Sequence, residues 1–192
     1  MKINDIFTSI QGEGLHTGIP TTFIRLQGCN VGCIWCDTKE SWHDNNGYEL
    51  SVSEISEQIQ THHVCITGGE PCLQDLYELT DRIRTKYISL ETSGTVELTG
   101  CFNWVTLSPK LNFKLPIPSV IYKADEIKFP VGNSDDLVRI KSFLKNNKLK
   151  NDCVILLQPI SLSTKATALC INECIKNNWR LSLQIHKFCN IK

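Results

Sequence analysis

Three cysteines lie close together in one short segment, residues 29–38, with the spacing C-x3-C-x2-C. Cys29, Cys33 and Cys36 can place three thiolates around one inorganic centre, one ligand fewer than a closed zinc or iron–sulfur site takes. A [4Fe–4S] cluster held by three thiolates keeps one iron free of protein, and that iron can bind a small molecule. The spacing therefore favours a reactive iron–sulfur site over a structural one.

Two other kinds of site stay open on spacing alone. A structural zinc site usually pairs one C-x2-C with a second ligand pair, and Cys65 and Cys72 offer such a pair, although their separation is not that of a zinc knuckle. A redox C-x2-C would use Cys33 and Cys36 and would leave Cys29 without a role.

The elements that must position the cysteines alternate between strands and helices. Residues 1–20 are interpreted as a turn-rich lead-in, and the segment around Pro116 and Pro118 as a loop. Helices are predicted after a cap at Ser51 or Ser53, over 73–86, after a cap at Ser134, and over 164–177. Strands are predicted at 21–27, 63–67, 87–90, 104–107, 126–129, 154–157 and 180–184.

This alternation predicts an α/β fold with a mainly parallel sheet. Polar or glycine-rich motifs follow most of the predicted strands, and the carboxyl ends of parallel strands share one rim, where barrel active sites lie. The chain has 192 residues, which is short for a closed eight-unit barrel of about 250. We therefore expect a partial, open TIM-like barrel and a single domain over residues 1–192.

Composition excludes several classes of protein. The formal net charge is +0, so bulk electrostatics do not favour nucleic acid or an anionic membrane. No apolar stretch resembles a signal peptide or a membrane span, and the ten cysteines are expected to stay reduced, as in a cytoplasmic protein. The seven cysteines outside the loop are interpreted as small buried apolar residues.

The motifs taken together resemble the 7-carboxy-7-deazaguanine synthase family of the radical S-adenosylmethionine (SAM) superfamily. The cysteine loop and the GGEP turn carry the resemblance to the superfamily, and the full set carries the resemblance to the family. The motifs outside the cysteine loop are residues 9–14 (SIQGEG), 23–28 (FIRLQG), 68–71 (GGEP), 91–95 (ETSGT), 108–110 (SPK) and 184–187 (QIHK).

The resemblance implies a role for each motif. It implies that Cys29, Cys33 and Cys36 hold the cluster and that the hydroxyl of Thr38 binds Mg²⁺, a hard cation that prefers oxygen. The residues implied to border SAM are Trp35, Cys36, Asp37, Gly69, Ser108, Pro109 and Lys110. The residues implied to contact the substrate are Ile10, Gln11, Gly12, Arg25 and Thr67, with Glu13 close to the first three.

The resemblance also implies the reaction and the partners. The family reductively cleaves SAM with one electron, and the resulting radical starts the ring contraction of 6-carboxy-5,6,7,8-tetrahydropterin to 7-carboxy-7-deazaguanine with loss of ammonia. It belongs to queuosine and 7-deazapurine biosynthesis, usually forms homodimers, and takes its electron from a flavodoxin-like donor. The substrate is a small molecule, and neither nucleic acid nor membrane is implied as a partner.

Plainer interpretations remain beside these. From its sequence position alone Arg25 would form a surface ion pair, Thr38 a turn, and Gly68 and Gly69 a tight turn. His186 is assigned to the rim or to a structural role. For the whole chain, the alternatives are a radical SAM activase that generates a glycyl radical on a partner protein, and a zinc-binding module without enzymatic activity.

Overall fold

A single nine-stranded sheet runs through the computed structural model, which describes residues 1–43 and 45–192. The strands are β1 (Lys2–Ile10), β2 (Pro20–Leu26), β3 (Tyr48–Glu49), β4 (His63–Gly68), β5 (Tyr87–Thr92), β6 (Trp104–Leu107), β7 (Glu126–Val131), β8 (Val154–Pro159) and β9 (Arg180–Leu181). The helices are α1 (Val52–Glu57), α2 (Tyr77–Arg82), α3 (Pro118–Lys123), α4 (Ser134–Asn146), α5 (Thr164–Asn177) and α6 (Ile185–Cys189).

The strand order is β3-β1-β2-β4-β5-β6-β7-β8-β9. Neighbours from β2 onward pair in parallel, whereas β1 is antiparallel to both β2 and β3. The predicted α/β fold, an open barrel with a mainly parallel sheet, is confirmed. Its seven consecutive parallel strands place their carboxyl ends on one rim.

Side chains on the parallel strands alternate between an apolar outer face and a polar inner face. In β4, Val64 and Ile66 lie in the outer core, whereas Cys65 and Thr67 occupy the alternate positions. In β7, Ile127 and Phe129 lie in the outer core, and the alternate positions are occupied by charged residues. The strand period of two therefore turns a row of polar side chains toward the barrel interior.

The helices cover the outer face in two groups. Ile55 of α1 and Leu79 of α2 pack in one apolar cluster behind β2, β4 and β5. The helices α3, α4 and α5 pack in a second cluster behind β6, β7 and β8. The predicted helix over 164–177 is observed with those bounds. Of the two predicted caps, Ser51 is observed in a capping box, whereas the cap of α4 is Asn133 instead of Ser134.

The prediction of a turn-rich lead-in was wrong, because nine of its residues, Lys2–Ile10, form β1. The register against β2 shifts between Ile3 and Asp5. A bulge of this kind breaks the alternation of apolar and polar residues on which strand recognition depends. The antiparallel edge also leaves much of β1 partly exposed, so few of its positions had to be apolar.

Three further element predictions were wrong in extent. The helix predicted over 73–86 is reduced to α2, because Gln74 adopts an extended conformation and its side chain donates to the carbonyl oxygens of Lys2 and Gln27. The segment predicted as a loop contains α3, which begins at Pro118, a residue suited to a first helical turn. The last strand ends at Leu181 instead of residue 184.

The segment after β9 lies across the open side of the barrel. The amide of Ile185 donates to the carbonyl of Gly12 at 2.9 Å, and Lys192 forms an ion pair with Asp5 of β1. The two edges of the open sheet are therefore linked by side-chain and main-chain contacts where no strand pairing closes them. None of the described helices is long and apolar enough to cross a membrane.

Candidate active site

The cysteine loop begins where β2 reaches the rim. Its first amides are bonded to the following turn, from Gly28 to the carbonyl of Ser41 at 2.8 Å and from Cys29 to that of Trp42 at 3.2 Å. The buried side chain of Gln27 donates to the carbonyls of Glu40 and His43. The loop is therefore anchored at both its ends, while its thiols carry no disulfide.

The three thiols suit an iron–sulfur cluster. Burial raises the pKa of Cys33 to about 11, the nearby Lys110 opposes this, and the thiolates of Cys36 and Cys29 raise it further. Cys33 therefore lies within electrostatic reach of the other two thiols of the motif. In residues 1–43 and 45–192, no three His, Cys, Asp or Glu side chains are gathered to hold a single metal ion. Three soft donors fit a multi-iron cluster, each thiolate holding its own iron.

The glycine pair after β4 lies directly against the start of the cysteine loop. A Cβ at Gly69 would lie 2.3 Å from the carbonyl oxygen of Gly28 and 2.7 Å from Cβ of Cys29. The amide of Glu70 donates to Gly28 at 2.8 Å. A side chain at position 69 would therefore push the cysteine loop away. The amides of Gly69 and Glu70 already donate to backbone carbonyls. The carbonyl oxygens of the turn are therefore the groups that can accept a hydrogen bond from the amino group of a ligand.

A buried carboxylate ties the glycine turn to the end of β5. Glu70 accepts hydrogen bonds from the hydroxyl of Thr92 at 2.7 Å and from the amide and hydroxyl of Ser93 at 2.8 and 2.5 Å. Thr95 continues the chain of contacts to Asn30 in the cysteine loop at 2.8 Å. The GGEP and ETSGT motifs therefore hold each other and the cysteine loop in place.

One cavity of about 420 Å³ opens at the rim, a size typical of small-molecule sites. Every motif predicted at the rim contributes to its lining, including Gln158 and Gln184. The predicted site residues that line it are Ile10, Gln11, Gly12, Arg25, Cys33, Trp35, Cys36, Asp37, Thr38, Thr67, Gly69, Ser108 and Lys110. Cys29 lies behind Gly69 outside the lining, and Pro109 lines a smaller neighbouring pocket with Trp35 and Lys110.

The guanidinium of Arg25 and the hydroxyl of Thr38 face each other on one wall of the cavity. Arg25 lies beside Thr67 in the register of β2 and β4, and its guanidinium donates to the hydroxyl of Thr38 at 3.5 Å. That hydroxyl donates in turn to Asp37 at 3.3 Å. Arg25 has no ion-pair partner among the described residues, so its charge is available for an anionic ligand.

Lys110 forms the boundary between the cysteine loop and the SPK motif. Its ammonium donates to the hydroxyl of Ser108 at 2.5 Å and lies 5.5 Å from the ring centroid of Trp35. Burial lowers its pKa, and the nearby Cys33 opposes that shift. The ammonium of Lys110 therefore lies within electrostatic reach of the cysteine loop.

The floor of the cavity is made by residues 11–18, which connect β1 to β2 and fold into the barrel. Gln11 donates from its side chain to Glu91 at 3.2 Å, and the amide of Leu15 donates to the carboxylate of Glu126 at 3.0 Å. Gly12 packs against His186, and a Cβ there would lie 2.4 Å from its Nδ1 atom. His186 therefore lies at the rim, one of its two predicted roles.

Lys128 is a cavity residue that the sequence analysis missed. It is only 3% exposed, and its ammonium forms ion pairs with Glu13 and with Glu91, the latter at 3.4 Å. Burial would lower its pKa, but these two carboxylates raise it. The available signal was the alternation in β7, where the charged Glu126 and Lys128 stand two residues apart between apolar residues.

Lys187, whose role the sequence left open, pairs with Asp37. Its ammonium lies 3.0 Å from the carboxylate, which also accepts a hydrogen bond from Gln184 at 3.3 Å. Burial would raise the pKa of Asp37, but Lys187 lowers it. The segment around α6 thus contacts the cysteine loop and the cavity floor together.

Comparison with known proteins finds relatives that match nearly the whole chain. Residues 23–109 match the radical SAM superfamily. The chain is 43% identical to the 7-carboxy-7-deazaguanine synthase of Buchnera aphidicola over 99% of this chain and 98% of that protein. It is 43% identical to that of Escherichia coli K12 over 98% of each.

A solved structure shows the same fold. The crystal structure of QueE from Escherichia coli superimposes with a TM-score of 0.87 at 41% sequence identity. The match covers 95% of this chain and 93% of that one. The likeness therefore extends over nearly the whole sheet and its helices.

Proposed function

The chain belongs to the 7-carboxy-7-deazaguanine synthase family of the radical SAM superfamily, and we propose that its rim cavity performs that family's reaction with the residues assigned below. The enzyme is a carbon–nitrogen lyase that converts 6-carboxy-5,6,7,8-tetrahydropterin to 7-carboxy-7-deazaguanine and releases ammonia. The observation that carries the assignment is the rim cavity into which thiols, an arginine and amide-bearing side chains all converge.

The radical SAM family uses a [4Fe–4S] cluster and SAM, and we assign the cluster to Cys29, Cys33 and Cys36. When bound, the two groups supply a 5′-deoxyadenosyl radical, a chemistry that no protein side chain can provide. The three thiolates would hold three of the four irons and would leave the fourth without a protein ligand. The carbonyl oxygens of the glycine turn at Gly69 face the amino group of SAM in this assignment. The ring of Trp35 and the SPK motif border the cofactor on either side.

The substrate takes the part of the cavity between Arg25 and the floor. The guanidinium of Arg25 suits the substrate carboxylate, which it can hold through two parallel hydrogen bonds. Thr67, its neighbour in register, lies on the same wall. We assign the pterin ring to Ile10, Gln11 and Gly12, which together line this part of the cavity.

We assign Mg²⁺ to the hydroxyl of Thr38. This oxygen lies between Arg25 and the carboxylate of Asp37, close to the place proposed for the substrate carboxylate. An octahedral Mg²⁺ keeps most of its waters and takes one or two protein or substrate oxygens. The ion would orient the carboxylate and stabilise charge that develops beside it.

The remaining assignments concern the whole chain. One sheet contains strands from Lys2 to Leu181, which supports a single radical SAM domain over residues 1–192. The ten free thiols fit the reducing cytoplasm.

A homodimer and a flavodoxin-like electron donor complete the proposal. Ile34, 75% exposed on the cysteine loop, gives such a donor an apolar contact near the cluster. Sedimentation of a monomer alone, or no reduction by flavodoxin, would contradict these two assignments.

The decisive experiment is an anaerobic assay on the reconstituted enzyme. The protein is loaded with iron and sulfide, reduced, and given SAM, Mg²⁺ and 6-carboxytetrahydropterin, and 7-carboxy-7-deazaguanine is measured by mass spectrometry. We expect product from the wild type and at least a thousandfold less from Cys33→Ala, because the radical source is lost.

The matched control is Cys170→Ala, which removes a fully buried thiol from α5 in the outer core. This variant should keep its cluster and its turnover. Cleavage of SAM without formation of product would favour the glycyl-radical activase. Bound zinc with no SAM cleavage would favour the non-enzymatic module.

A further inference from the structure

A buried lysine at the cavity floor holds two carboxylates that both line the cavity. Lys128 lies on the inner face of β7, and its ammonium contacts one oxygen of Glu13 and one of Glu91. Both carboxylates belong to the cavity lining. Glu13 comes from the loop after β1 and Glu91 from β5, so a single side chain joins two distant parts of the chain.

Amide side chains fix the remaining orientation of these carboxylates. Glu13 accepts hydrogen bonds from Gln184 at 2.8 Å and Gln158 at 3.1 Å, and Glu91 accepts one from Gln11 at 3.2 Å. Each of these amides donates a hydrogen bond and therefore requires an acceptor. Both oxygens of an ionised carboxylate accept, whereas one oxygen of a protonated carboxyl group carries a proton and acts as a donor. The network is built for two charged carboxylates.

Two carboxylates near one another in a protein interior do not both stay ionised without a cation. Like charges at close range raise the pKa of one member of the pair. Burial acts in the same direction on Glu13, yet Lys128 outweighs it and lowers the pKa of Glu13 to about 2. The nearby Glu126 has no such close cation, and burial raises its pKa. The pKa values of Glu13 and Glu126 therefore shift in opposite directions because the ammonium of Lys128 contacts only the first of these two carboxylates.

We propose that Lys128 is a positioning residue that keeps Glu13 and Glu91 ionised and fixed at the cavity floor, where they accept the N–H groups of the pterin ring. The inference rests on the proposed function for the identity of the ligand. A reduced pterin carries several N–H donors along its edges, and a pair of fixed acceptors discriminates strongly against rings that lack them. Lys128 acts through the carboxylates and does not itself bind the reacting atoms.

Other ionisable groups surround the site and have to be considered in a pH experiment. They act on Lys128 or on the carboxylates from the neighbouring strands, from the SPK motif and from α6. These groups are Glu126, Cys65, Lys110, Asp37 and His186. Among the described residues, Lys128 is the one cation that forms an ion pair with either carboxylate.

The test compares Lys128→Met, which keeps the length of the side chain without its charge, with Lys128→Arg, which keeps the charge. Infrared difference spectra are recorded during a pH titration of the substrate-free holoenzyme. We expect Lys128→Met to show a new protonated-carboxyl C=O band that titrates near neutral pH. The wild type and Lys128→Arg should lack the band, and Lys128→Met/Glu91→Gln or Lys128→Met/Glu13→Gln should remove it.

The second readout is binding of pterin-6-carboxylate, followed by its fluorescence. Lys128→Met should bind at least tenfold more weakly below the new pKa and recover in part above it, while the wild type shows no such pH dependence. A merely structural lysine would lower thermal stability without creating this pH dependence. Should Lys128→Met fail to fold, Lys128→Met/Glu91→Gln replaces it, with fold restored and affinity still lost.

The outcomes separate this proposal from the assigned reaction. Absence of a new band in Lys128→Met, or a new band with unchanged pterin affinity, overturns the positioning role. A wild type that binds no pterin overturns the proposed function and the recognition step together, while the infrared titration still decides whether Lys128 sets the charge of the carboxylates.

Discussion

The two ends of the barrel interior handle buried ionisable groups in opposite ways. At the rim, Lys128 pairs with Glu13 and Glu91, so charge is retained and compensated. At the opposite end, where the parallel strands begin, His63 of β4 packs edge-on against His16 and Tyr87 with ring centroids 4.9 and 5.1 Å apart. No acidic side chain in the described part of the chain forms an ion pair with His63.

The difference shows in the pKa of each group. Burial lowers the pKa of His63 to about 4, and the neighbouring histidines lower it further. Its two ring nitrogens contact the hydroxyls of Thr21 at 3.2 Å and Ser89 at 3.1 Å. A neutral imidazole between two hydroxyls is a satisfied structural group. Charge is therefore maintained only at the end of the barrel that opens to a ligand.

The loop of residues 11–18 separates these two environments. Gln11 and Glu13 project into the cavity, and three residues after Glu13 the ring of His16 lies against Trp104 at the opposite end, 4.9 Å between centroids. If the comparison is right, changes at the rim should alter catalysis with little effect on folding, and changes at the opposite end should do the reverse.

The largest effect is expected from removing the unpaired cation of the rim. Arg25→Met should lower kcat/KM by about 100- to 1,000-fold, because a buried carboxylate of the substrate loses its charged partner. The melting temperature should change little, since the contacts of the Arg25 guanidinium among the described residues are long, 3.5 Å to the hydroxyl of Thr38 and 5.8 Å to the ring centroid of Phe7. Steady-state kinetics with varied pterin measure the effect.

The control for charge is Arg84→Met. Arg84 forms an exposed pair with Asp81 at 3.3 Å, far from the cavity lining, and such pairs contribute little. This variant should retain wild-type kinetics. An Arg25→Met enzyme with unchanged KM and kcat would disprove the assignment of Arg25 to the substrate carboxylate.

A smaller effect is expected at the proposed Mg²⁺ ligand. Thr38→Ala should lower kcat/KM by roughly 10- to 100-fold and raise the Mg²⁺ concentration needed for half-maximal activity, because the ion loses its protein oxygen. Cluster content, measured by iron and sulfide analysis, should not change. Thr38→Ser keeps the hydroxyl and should stay close to the wild type. Equal activity and equal Mg²⁺ dependence in both variants would remove Thr38 from the site.

The sequence predicted the rim better than it predicted the elements around it. The motifs lie at the carboxyl ends of strands, and in a parallel sheet these ends lie on the same rim. The positions of Arg25 and Thr67 therefore followed from the topology. The antiparallel strand β1 was missed because its bulge breaks the alternation of residues. Lys128 was missed because a single lysine in a strand is ordinarily exposed. Its buried role depends on Glu13, 115 residues away in the chain.

The smallest effect is a pH dependence of stability that distinguishes the two ends. His63 has a folded-state pKa of about 4 against an ordinary 6.5, so the folded state binds fewer protons than the unfolded chain between these values. Its contribution to the free energy of unfolding is complete above pH 6.5 and is lost as the pH falls toward 4, by about 1 to 2 kcal/mol.

Glu13, with a folded pKa of about 2 against 4.5, loses its contribution to the free energy of unfolding only below pH 4.5. Urea denaturation from pH 7.5 to 4.5 should therefore include the contribution of His63 and exclude that of Glu13. In His63→Asn, which retains hydrogen-bonding groups without titrating, this loss should shrink while turnover at pH 7.5 stays at the wild-type level. An unaltered pH profile of stability in His63→Asn, or a loss of turnover, would mean that the two ends are not separate in function.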